Sequence, residues 1–180
     1  MSAGPGSAGP VNADPASPDP LSPDPLSPDP LSPGPLSAGP ASGPLDPAAL
    51  GMVRHPEGGW FRETWRTPQT VATPRGERAL ATCVAFLLQP GERSAWHRVT
   101  GAELWLWQGG GPLRLGLGGT AARPAPTRSL LLHTGAQHLV APGEWQEAEP
   151  AGDGAVLVAC IVSPGFDFAD FTLADGGDPH

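Results

Sequence analysis

The stretch GERSAWHRVTGAELWLWQGG, residues 91–110, contains two short segments with strand-like alternation, a turn between them and a glycine-rich end. SAWHRV and ELWLWQ each have the length and pattern of a half-buried β-strand. Side chains two residues apart share one face of a strand, so an inward Glu103 predicts an inward Trp105. By the same rule, an inward His97 predicts an inward Ala95. The stretch therefore predicts a strand pair that directs an imidazole and a carboxyl group to one side.

Similar short segments with Gly or Pro between them lie on both sides of this pair, and almost no stretch has helical periodicity. They are WFRETWRT and ALATCVAFLL before it, and PLRLGL, RSLLLH, HLVAP, EWQEA and AVLVACIVSP after it. Such a series predicts an all-β antiparallel sandwich or barrel. In LDPAALGMV, Asp46 as an N-cap and Pro47 after it predict one short helix. The aromatic stretch GFDFADFTL is expected to cover one end or edge of the barrel.

The N-terminal quarter of the chain has a different composition. Fourteen of the 25 prolines lie within the first 47 residues, and residues 16–40 repeat every five residues as variants of LSPDP. Proline removes backbone donors, and one Leu per repeat cannot offset the entropy of ordering. We predict a disordered arm over residues 1–45, a single domain over 46–174 and a frayed tail over 175–180. A docking peptide for a proline-binding domain is the alternative for the arm.

Charge and apolar content exclude several classes of partner. The formal charge is −8, and no basic cluster offers a surface to nucleic acid or anionic lipid. The start, MSAGPGSAGP, lacks the basic and apolar segments of a secretory signal, and the apolar runs are too short to span a bilayer. We therefore expect a cytoplasmic protein with no membrane partner. Cys83 and Cys160 are expected to be reduced core thiols, with a disulfide between neighbouring strands as the alternative.

The spacing Gly91-x5-His97-x5-Glu103-x5-Gly109 resembles the first motif of the cupin superfamily, and VAPGEWQEA, residues 140–148, resembles its second. HPEGGWFRET, SAWHRVTGAELW, APGEWQ and SPGFDFADFTL together resemble one small cupin branch, a domain of unknown function near the sugar-nucleotide epimerases. The resemblance covers about residues 46–174. It implies a double-stranded β-helix, or jelly-roll barrel, with a small-molecule or metal site inside. Small cupins commonly pair their strand edges, so we expect a homodimer.

The resemblance also implies where a metal would bind. Cupin sites generally use two His and one Glu from the first motif and one His from the second. Carried over, these positions are His97, Val99, Glu103 and Gln146. Val99 offers no donor atom and Gln146 offers only a neutral amide oxygen, whereas first-row metals usually require three or four N, O or S ligands. We therefore expect no cofactor; the alternative is a weak divalent metal on His97, Glu103 and Gln146, as in a dioxygenase-like enzyme.

The leading functional prediction is a pocket for a small polar or cyclic metabolite, with metal-independent isomerase or epimerase chemistry. His97 would transfer the proton, Glu103 would be its carboxylate partner, Gln146 would contact the ligand and Trp105 would stack on it. The related epimerases generally pair a His base with a Tyr acid. This chain has no tyrosine, so Glu103 or Glu63 would replace that acid only with a raised pKa. A non-enzymatic sensor or scaffold is the remaining alternative.

Alternation along WFRETWR separates its side chains into two sets: Phe61, Glu63 and Trp65 on one face, and Arg62, Thr64 and Arg66 on the other. A carboxyl group between aromatic residues is costly to bury unless it is paired. Glu63 is therefore predicted either to face the ligand as a catalytic residue or to form a salt bridge with an arginine. We favour the first interpretation, and Arg62 is a candidate ligand contact.

The remaining candidates carry weaker signals. Trp60 and Trp96 are candidate ligand-binding residues, with core packing as the alternative. In HPEGG, the glycines fit a turn, and a hydrogen-bonded loop is favoured over direct chemistry for His55 and Glu57. His133 and His138 lack partners at a suggestive spacing and are assigned no role.

Overall fold

A computed structural model of the chain describes residue 1 and residues 45–174. The predicted arm, apart from Met1 and Leu45, and the predicted tail of residues 175–180 lie outside the described residues. Across the part of the chain that the structure describes, no helix is long and apolar enough to cross a membrane.

The described residues are almost entirely β-structure, as the alternating segments predict. In chain order, the strands of residues 45–174 are β1 Val53–Arg54, β2 Trp60–Arg66, β3 Thr70–Thr73, β4 Gly76–Ala79, β5 Thr82–Leu88, β6 Ser94–Val99, β7 Ala102–Gly110, β8 Leu113–Leu117, β9 Arg128–Leu132, β10 Gln137–Val140, β11 Gln146–Pro150, β12 Val156–Ser163 and β13 Phe171–Leu173.

These strands form two large antiparallel sheets and one hairpin. The first sheet has the order β1-β2-β5-β12-β7-β10, and the second has the order β13-β6-β11-β8-β9. Strands β3 and β4 form the separate hairpin. Neighbours within a sheet are mostly distant in sequence, and every pair is antiparallel. The all-β jelly-roll prediction is confirmed at the level of this two-sheet architecture.

The short N-terminal helix is not present. Residues 47–51 form hydrogen-bonded turns, in which the Asp46 carboxylate accepts from the backbone N–H of Ala48 at 3.0 Å. Gly51 follows with φ of +63°, a conformation that ends a right-handed helix, and the chain then enters β1. The N-cap signal was therefore real, but the segment ends before a helix can form. A 3-10 helix occurs instead at Phe168–Asp170.

One half of the space between the two sheets is filled with apolar side chains. Leu113, Leu115 and Leu117 of β8 are fully buried and pack against Trp105 of β7 and Val158 of β12. We call this region the packed half. Alternate residues of β8, β7 and β12 supply it, because inward side chains recur at every second position. Burial of these side chains is the main apolar contribution to the stability of the domain.

The cysteines lie on opposite faces of the first sheet. Cys160 pairs across β5 with Val84 and faces the interior, so the neighbouring Cys83 faces the other way. Both thiols are free. The alternative of a disulfide between them is not realised, since their side chains point apart.

Candidate functional site

The other half of the barrel encloses a cavity of about 270 Å³, which we call the hollow half. Its floor carries buried polar groups from Glu57, His97, Glu103 and Cys160. Its mouth carries exposed side chains from β2 and from the segment that leads into β13. The cavity therefore has a polar interior and a mixed aromatic and charged entrance.

An irregularity in β6 directs His97 into this cavity. Gln146 of β11 pairs with His97, but Ala148 pairs with Ser94, so four residues of β6 lie opposite three of β11. This is the arrangement of a β-bulge. Ser94 and His97 are consequently both buried, at 0% and 2% exposure. The prediction that Ala95 shares the inward face with His97 is wrong for this reason, since Ser94 takes that place.

The His97 ring is fixed by its neighbours. Its Nδ1 lies 2.9 Å from the carbonyl oxygen of Ala95, which can only accept, so Nδ1 carries a proton. Nε2 lies 3.4 Å from a carboxylate oxygen of Glu57, and the ring of Phe171 stacks on the imidazole with centroids 5.5 Å apart. The exchangeable position of the imidazole is therefore Nε2, beside Glu57.

Glu57 is the direct carboxylate partner of His97, whereas the sequence suggested Glu103. Ser94 Oγ donates to Glu57 Oε1 at 2.9 Å, and Nδ1 of His55 lies 3.3 Å from Oε2. Burial alone would raise the pKa of Glu57, but the charge of His97 and the hydrogen bonds from His55 and Ser94 outweigh it, so the pKa lies below its ordinary value. Glu57 is therefore held as a carboxylate.

The HPEGG loop packs tightly against the start of β6, and this contact places the loop residue Glu57 on the floor of the cavity. The backbone N–H of Ala95 donates to the carbonyl of Glu57 at 2.7 Å. A Cβ atom on Gly58 would lie 2.2 Å from the carbonyl oxygen of Arg93, and Gly58 has φ of +105°. Only glycine permits this close approach and conformation. The favoured interpretation of a hydrogen-bonded loop is thus incomplete, because Glu57 also lines the cavity.

Glu103 is held by a relay of two side chains. Trp105 Nε1–H donates to Gln146 Oε1 at 2.9 Å, and Gln146 Nε2–H donates to Glu103 Oε2. An indole N–H can only donate, so it fixes the orientation of the Gln146 amide. All three side chains are buried, Trp105 and Gln146 almost completely. Gln146 therefore orients Glu103 and does not line the cavity.

The floor groups around Glu103 favour their neutral forms. Burial raises the pKa of Glu103, and repulsion from Glu57 adds to the rise, although His97 and Gln146 oppose it. Burial also raises the pKa of the Cys160 thiol well above its ordinary value, with a further contribution from Glu103. Two carboxyl groups of one cavity thus have pKa values displaced in opposite directions, the arrangement that assigns an acid and a base.

The residues at the implied cupin metal positions do not fit a metal. Val99 lines the cavity with an apolar side chain, and the Gln146 oxygen is turned toward Trp105. His97 Nε2 faces Glu57, which is not one of the implied ligands. Within residues 45–174, no three His, Cys, Asp or Glu side chains are grouped to hold a metal ion. We therefore derive no chemistry through a metal at this site.

A second bulge, in β2, sets the entrance. Glu63 pairs with Val84 and Trp65 pairs with Cys83, so Thr64 is an extra residue. Beyond it the alternation is reversed, and Arg66 joins Glu63 at the cavity while Trp65 is half exposed outside. The predicted grouping of Arg66 with Arg62 is therefore wrong. Arg66 donates to both carboxylate oxygens of Glu63, at 2.7 and 3.1 Å, so Glu63 both lines the mouth and forms a salt bridge.

Four candidate ligand contacts do not line the cavity. Arg62 lies on the opposite face of β2 from Glu63, as strict alternation requires at that position. Trp60 packs on the outer apolar cluster beneath the Arg54 guanidinium, which is 3.9 Å from its ring centroid. Trp96 lies over Gly116 of β8 and Gly118, which follows that strand, on the outer face of the second sheet. Trp105 belongs to the packed half, so its role is to hold Gln146 and not to stack on a ligand.

Phenylalanine residues supply the aromatic walls that were expected from tryptophan. All five phenylalanines of the chain lie around His55, with ring centroids 4.8 to 6.3 Å from its imidazole; they are Phe61, Phe86, Phe166, Phe168 and Phe171. Three of them come from GFDFADFTL, whose strand β13 lies at the edge of the second sheet. The several Phe and Asp residues close together in that stretch are the sequence feature that could have indicated a ligand-facing aromatic wall.

The family relationship agrees with this geometry. Residues 48–174 match the family described as Cupin superfamily (DUF985). A hypothetical protein from Leishmania major is 32% identical, with a TM-score of 0.59 over 69% of this chain and 82% of that one. A protein from Shewanella oneidensis with a crystal structure is 35% identical, with a TM-score of 0.59 over 69% and 78%. No curated protein matches significantly. The chain belongs to the DUF985 family of the cupin superfamily.

Proposed function

We propose that the domain binds a small organic molecule in the hollow half and moves a proton on it without a metal, as an isomerase or epimerase does. The observation that carries the proposal is the meeting of Glu57, His97 and Glu103 on the floor of one cavity. Proton transfer requires an acceptor and a donor in different protonation states, and these groups supply both.

His97 is the proposed proton acceptor. Its Nδ1–H is committed to the Ala95 carbonyl, so a neutral imidazole presents a lone pair at Nε2. The proton would pass from a carbon next to a ligand carbonyl to Nε2, and the electron pair of the C–H bond would form the enol. The adjacent Glu57 carboxylate would stabilise the resulting imidazolium, as an ion pair in a dry site can.

Glu103 is the proposed proton donor. A protonated carboxyl group can donate to the carbonyl oxygen as the enol forms and accept that proton back when the carbon is reprotonated. Gln146 and Trp105 would keep this carboxyl group in place throughout. The same two groups acting in reverse return the proton to the carbon, so the step is balanced and needs no external reactant.

The size and lining of the cavity limit the ligand. Ligand pockets usually measure about 300–1,000 Å³, so about 270 Å³ indicates a compact molecule. Val84, Val99, Val162 and the phenylalanines offer apolar walls. A small ring with one polar edge matches this division, with the polar edge on the floor and the ring toward the mouth.

Proton exchange with deuterated water tests the chemistry without knowledge of the product. Cyclohexanone and simple ketoses, incubated with the protein in D₂O, should gain deuterium next to the carbonyl, as followed by proton NMR. His97→Gln and Glu57→Gln should each lower this rate by about a hundredfold or more. Glu147→Gln, which removes an acidic group on β11 outside the cavity, is the control and should leave the rate unchanged.

Two results would count against the proposal. Equal deuterium incorporation by wild type and His97→Gln would exclude His97 as the acceptor. Wild-type protein that labels none of these probes above the buffer rate would remove the support for proton transfer on carbonyl compounds.

A further inference from the structure

The ionisable groups that line the hollow half never sum to a positive charge. The carboxyl groups are Glu57, Glu63, Glu103 and Asp167, and the possible cations are Arg66, His55 and His97. Even with both imidazoles protonated, the three positive charges only equal the three carboxylates that remain when Glu103 is neutral. The cavity therefore has no excess positive charge with which to attract an anionic ligand.

Among residues 45–174, one arginine lines the cavity, and it is already paired. Arg66 makes a two-point interaction with Glu63, through Nε and Nη2. Such paired hydrogen bonds are the geometry in which arginine binds carboxylate or phosphate. An anionic ligand would have to displace Glu63 and leave its carboxylate beside the new negative charge. The mouth therefore disfavours anions.

Two carboxyl groups of the cavity lack a basic partner. Among the residues that the structure describes, neither Glu103 on the floor nor Asp167 at the mouth has a salt-bridge contact. Glu103 accepts a hydrogen bond from Gln146 and lies beside the Cys160 thiol, and a carboxylate has room for about four hydrogen bonds. A buried carboxyl group of this kind gains more from a cationic ligand than from any other.

The aromatic walls favour the same class of ligand. Phe61, Phe166, Phe168 and Phe171 line the cavity. The face of a phenyl ring is electron-rich, so it attracts a cation and repels an anion. Carboxyl groups on the floor and phenyl rings above it form the combination that recognises organic ammonium groups.

Building on the proposed function, we propose that the ligand of the hollow half is an organic cation, a compact amine. Its ammonium group pairs with Glu103, which gives up its proton to solvent as the cation binds, and its ring or branched part lies among the phenylalanines. Because Arg66 at the mouth is paired with Glu63, its guanidinium does not compete with the amine for Glu103. The two proposals use Glu103 in different protonation states, so they are tested apart: the exchange assay with uncharged ketones tests the proton-transfer step, and titration with an amine tests the ligand class.

Three probes of similar shape and different charge test the ligand class: benzylamine, benzyl alcohol and benzoate, each titrated into the full chain by calorimetry at neutral pH. Benzylamine should bind at least about tenfold more tightly than benzyl alcohol. Benzoate should bind most weakly. Tighter binding of the alcohol or of benzoate than of the amine would overturn the inference, as would failure of all three to bind at millimolar concentration.

A matched pair of variants assigns the effect to Glu103. Glu103→Gln keeps an oxygen for the Gln146 N–H but cannot ionise to pair with an ammonium group, so it should weaken benzylamine about tenfold or more and change benzyl alcohol little. Glu147→Gln removes the same charge outside the cavity and should leave all three affinities unchanged. Circular dichroism of each variant checks that it is folded. Benzylamine affinity that is equal in wild type and Glu103→Gln would overturn the pairing, whatever the exchange assay gives.

Discussion

The packed half and the hollow half are built from the same strands, yet one is closed by apolar side chains and the other remains open. On β12, Val158 and Val162 face the same side of the sheet, four residues apart. Val158 pairs with Phe86 and Trp107 and belongs to the core, while Val162 pairs with Thr82 and Glu103 and lines the cavity. The pairing of β12 with β5 is regular at both positions, whereas its register with β7 shifts between Leu157 and Val158. The comparison teaches that side-chain volume, and not a change of fold, creates the site.

Trp105 and Gln146 form the boundary between the halves. The indole ring belongs to the apolar core, and its N–H begins the hydrogen-bond relay that ends at Glu103. A buried polar network is stabilising only when each member has its partner. Here the packed half supplies the donor that the polar floor needs. The position of Glu103 in the hollow half is therefore fixed by Trp105 in the packed half.

The largest expected effect lies in the packed half. Leu115→Ala should lower the free energy of unfolding by about 3 kcal/mol, because Leu115 is fully buried and its loss leaves a void that the sheets cannot close. Urea unfolding measures this change. A loss of unfolding free energy below about 1 kcal/mol would mean that the packed half collapses around the void. The packed half would then be less rigid than its comparison with the hollow half requires.

Two valines of β12, one in each half of the barrel, allow a direct comparison of the packed half with the hollow half. Val158→Ala should cost about 1 kcal/mol more than Val162→Ala, since Val162 already borders empty space and loses fewer contacts when shortened. Both substitutions remove the same two methyl groups from the same face of β12. Equal losses in urea unfolding would show that the cavity is filled or collapsed in solution.

The smallest effect is a dependence on pH that only the hollow half should show. Because the pKa of Glu103 is raised in the folded protein, its contribution is most favourable below the ordinary value of 4.5 and is lost as pH rises through the raised pKa. Glu103→Gln lacks this loss. Unfolding at a series of pH values from below 4.5 to neutral should therefore show wild type losing stability relative to Glu103→Gln. The cost of Leu115→Ala should stay constant over the same range, and a parallel change would contradict the assignment.

The regular strands were within reach of sequence reasoning. In β7, period-2 alternation correctly directs Glu103 and Trp105 inward and exposes the intervening leucine more. Apolar runs between Gly and Pro correctly located β5 and β12. These features depend only on local pattern, and a pattern of period 2 survives wherever the pairing register is unbroken.

The site residues were harder to predict because two of the strands that carry them are irregular. Thr64 in β2 and the bulge after Ser94 in β6 each reverse the alternation, and neither has a glycine or proline to mark it. Strict alternation therefore misplaced Arg66 and Ala95. A bulge is fixed by the neighbouring strand, so its position depends on contacts that are distant in sequence.

The role of Glu57 as the carboxylate partner of His97 could not be predicted for a different reason. Glu57 lies in a loop, where no periodicity indicates direction, and it reaches His97 only because the loop packs on the start of β6. The two glycines that follow it were interpreted as a turn, which is correct for Gly58 but incomplete. Glycine also permits another backbone to approach closely, as Arg93 does at Gly58. The sequence does not show this contact, because it does not say which strand lies beneath the loop.

The clustering of every phenylalanine around His55 has a practical consequence. Fluorophenylalanine incorporated throughout the chain would place a ¹⁹F nucleus at five positions, all bordering one imidazole. All of them except Phe86 of the packed half also line the cavity, so most of the fluorine spectrum of the uniformly labelled protein would report on the hollow half. Occupancy by an unknown metabolite in a cell extract could be read directly, without altering a single floor residue.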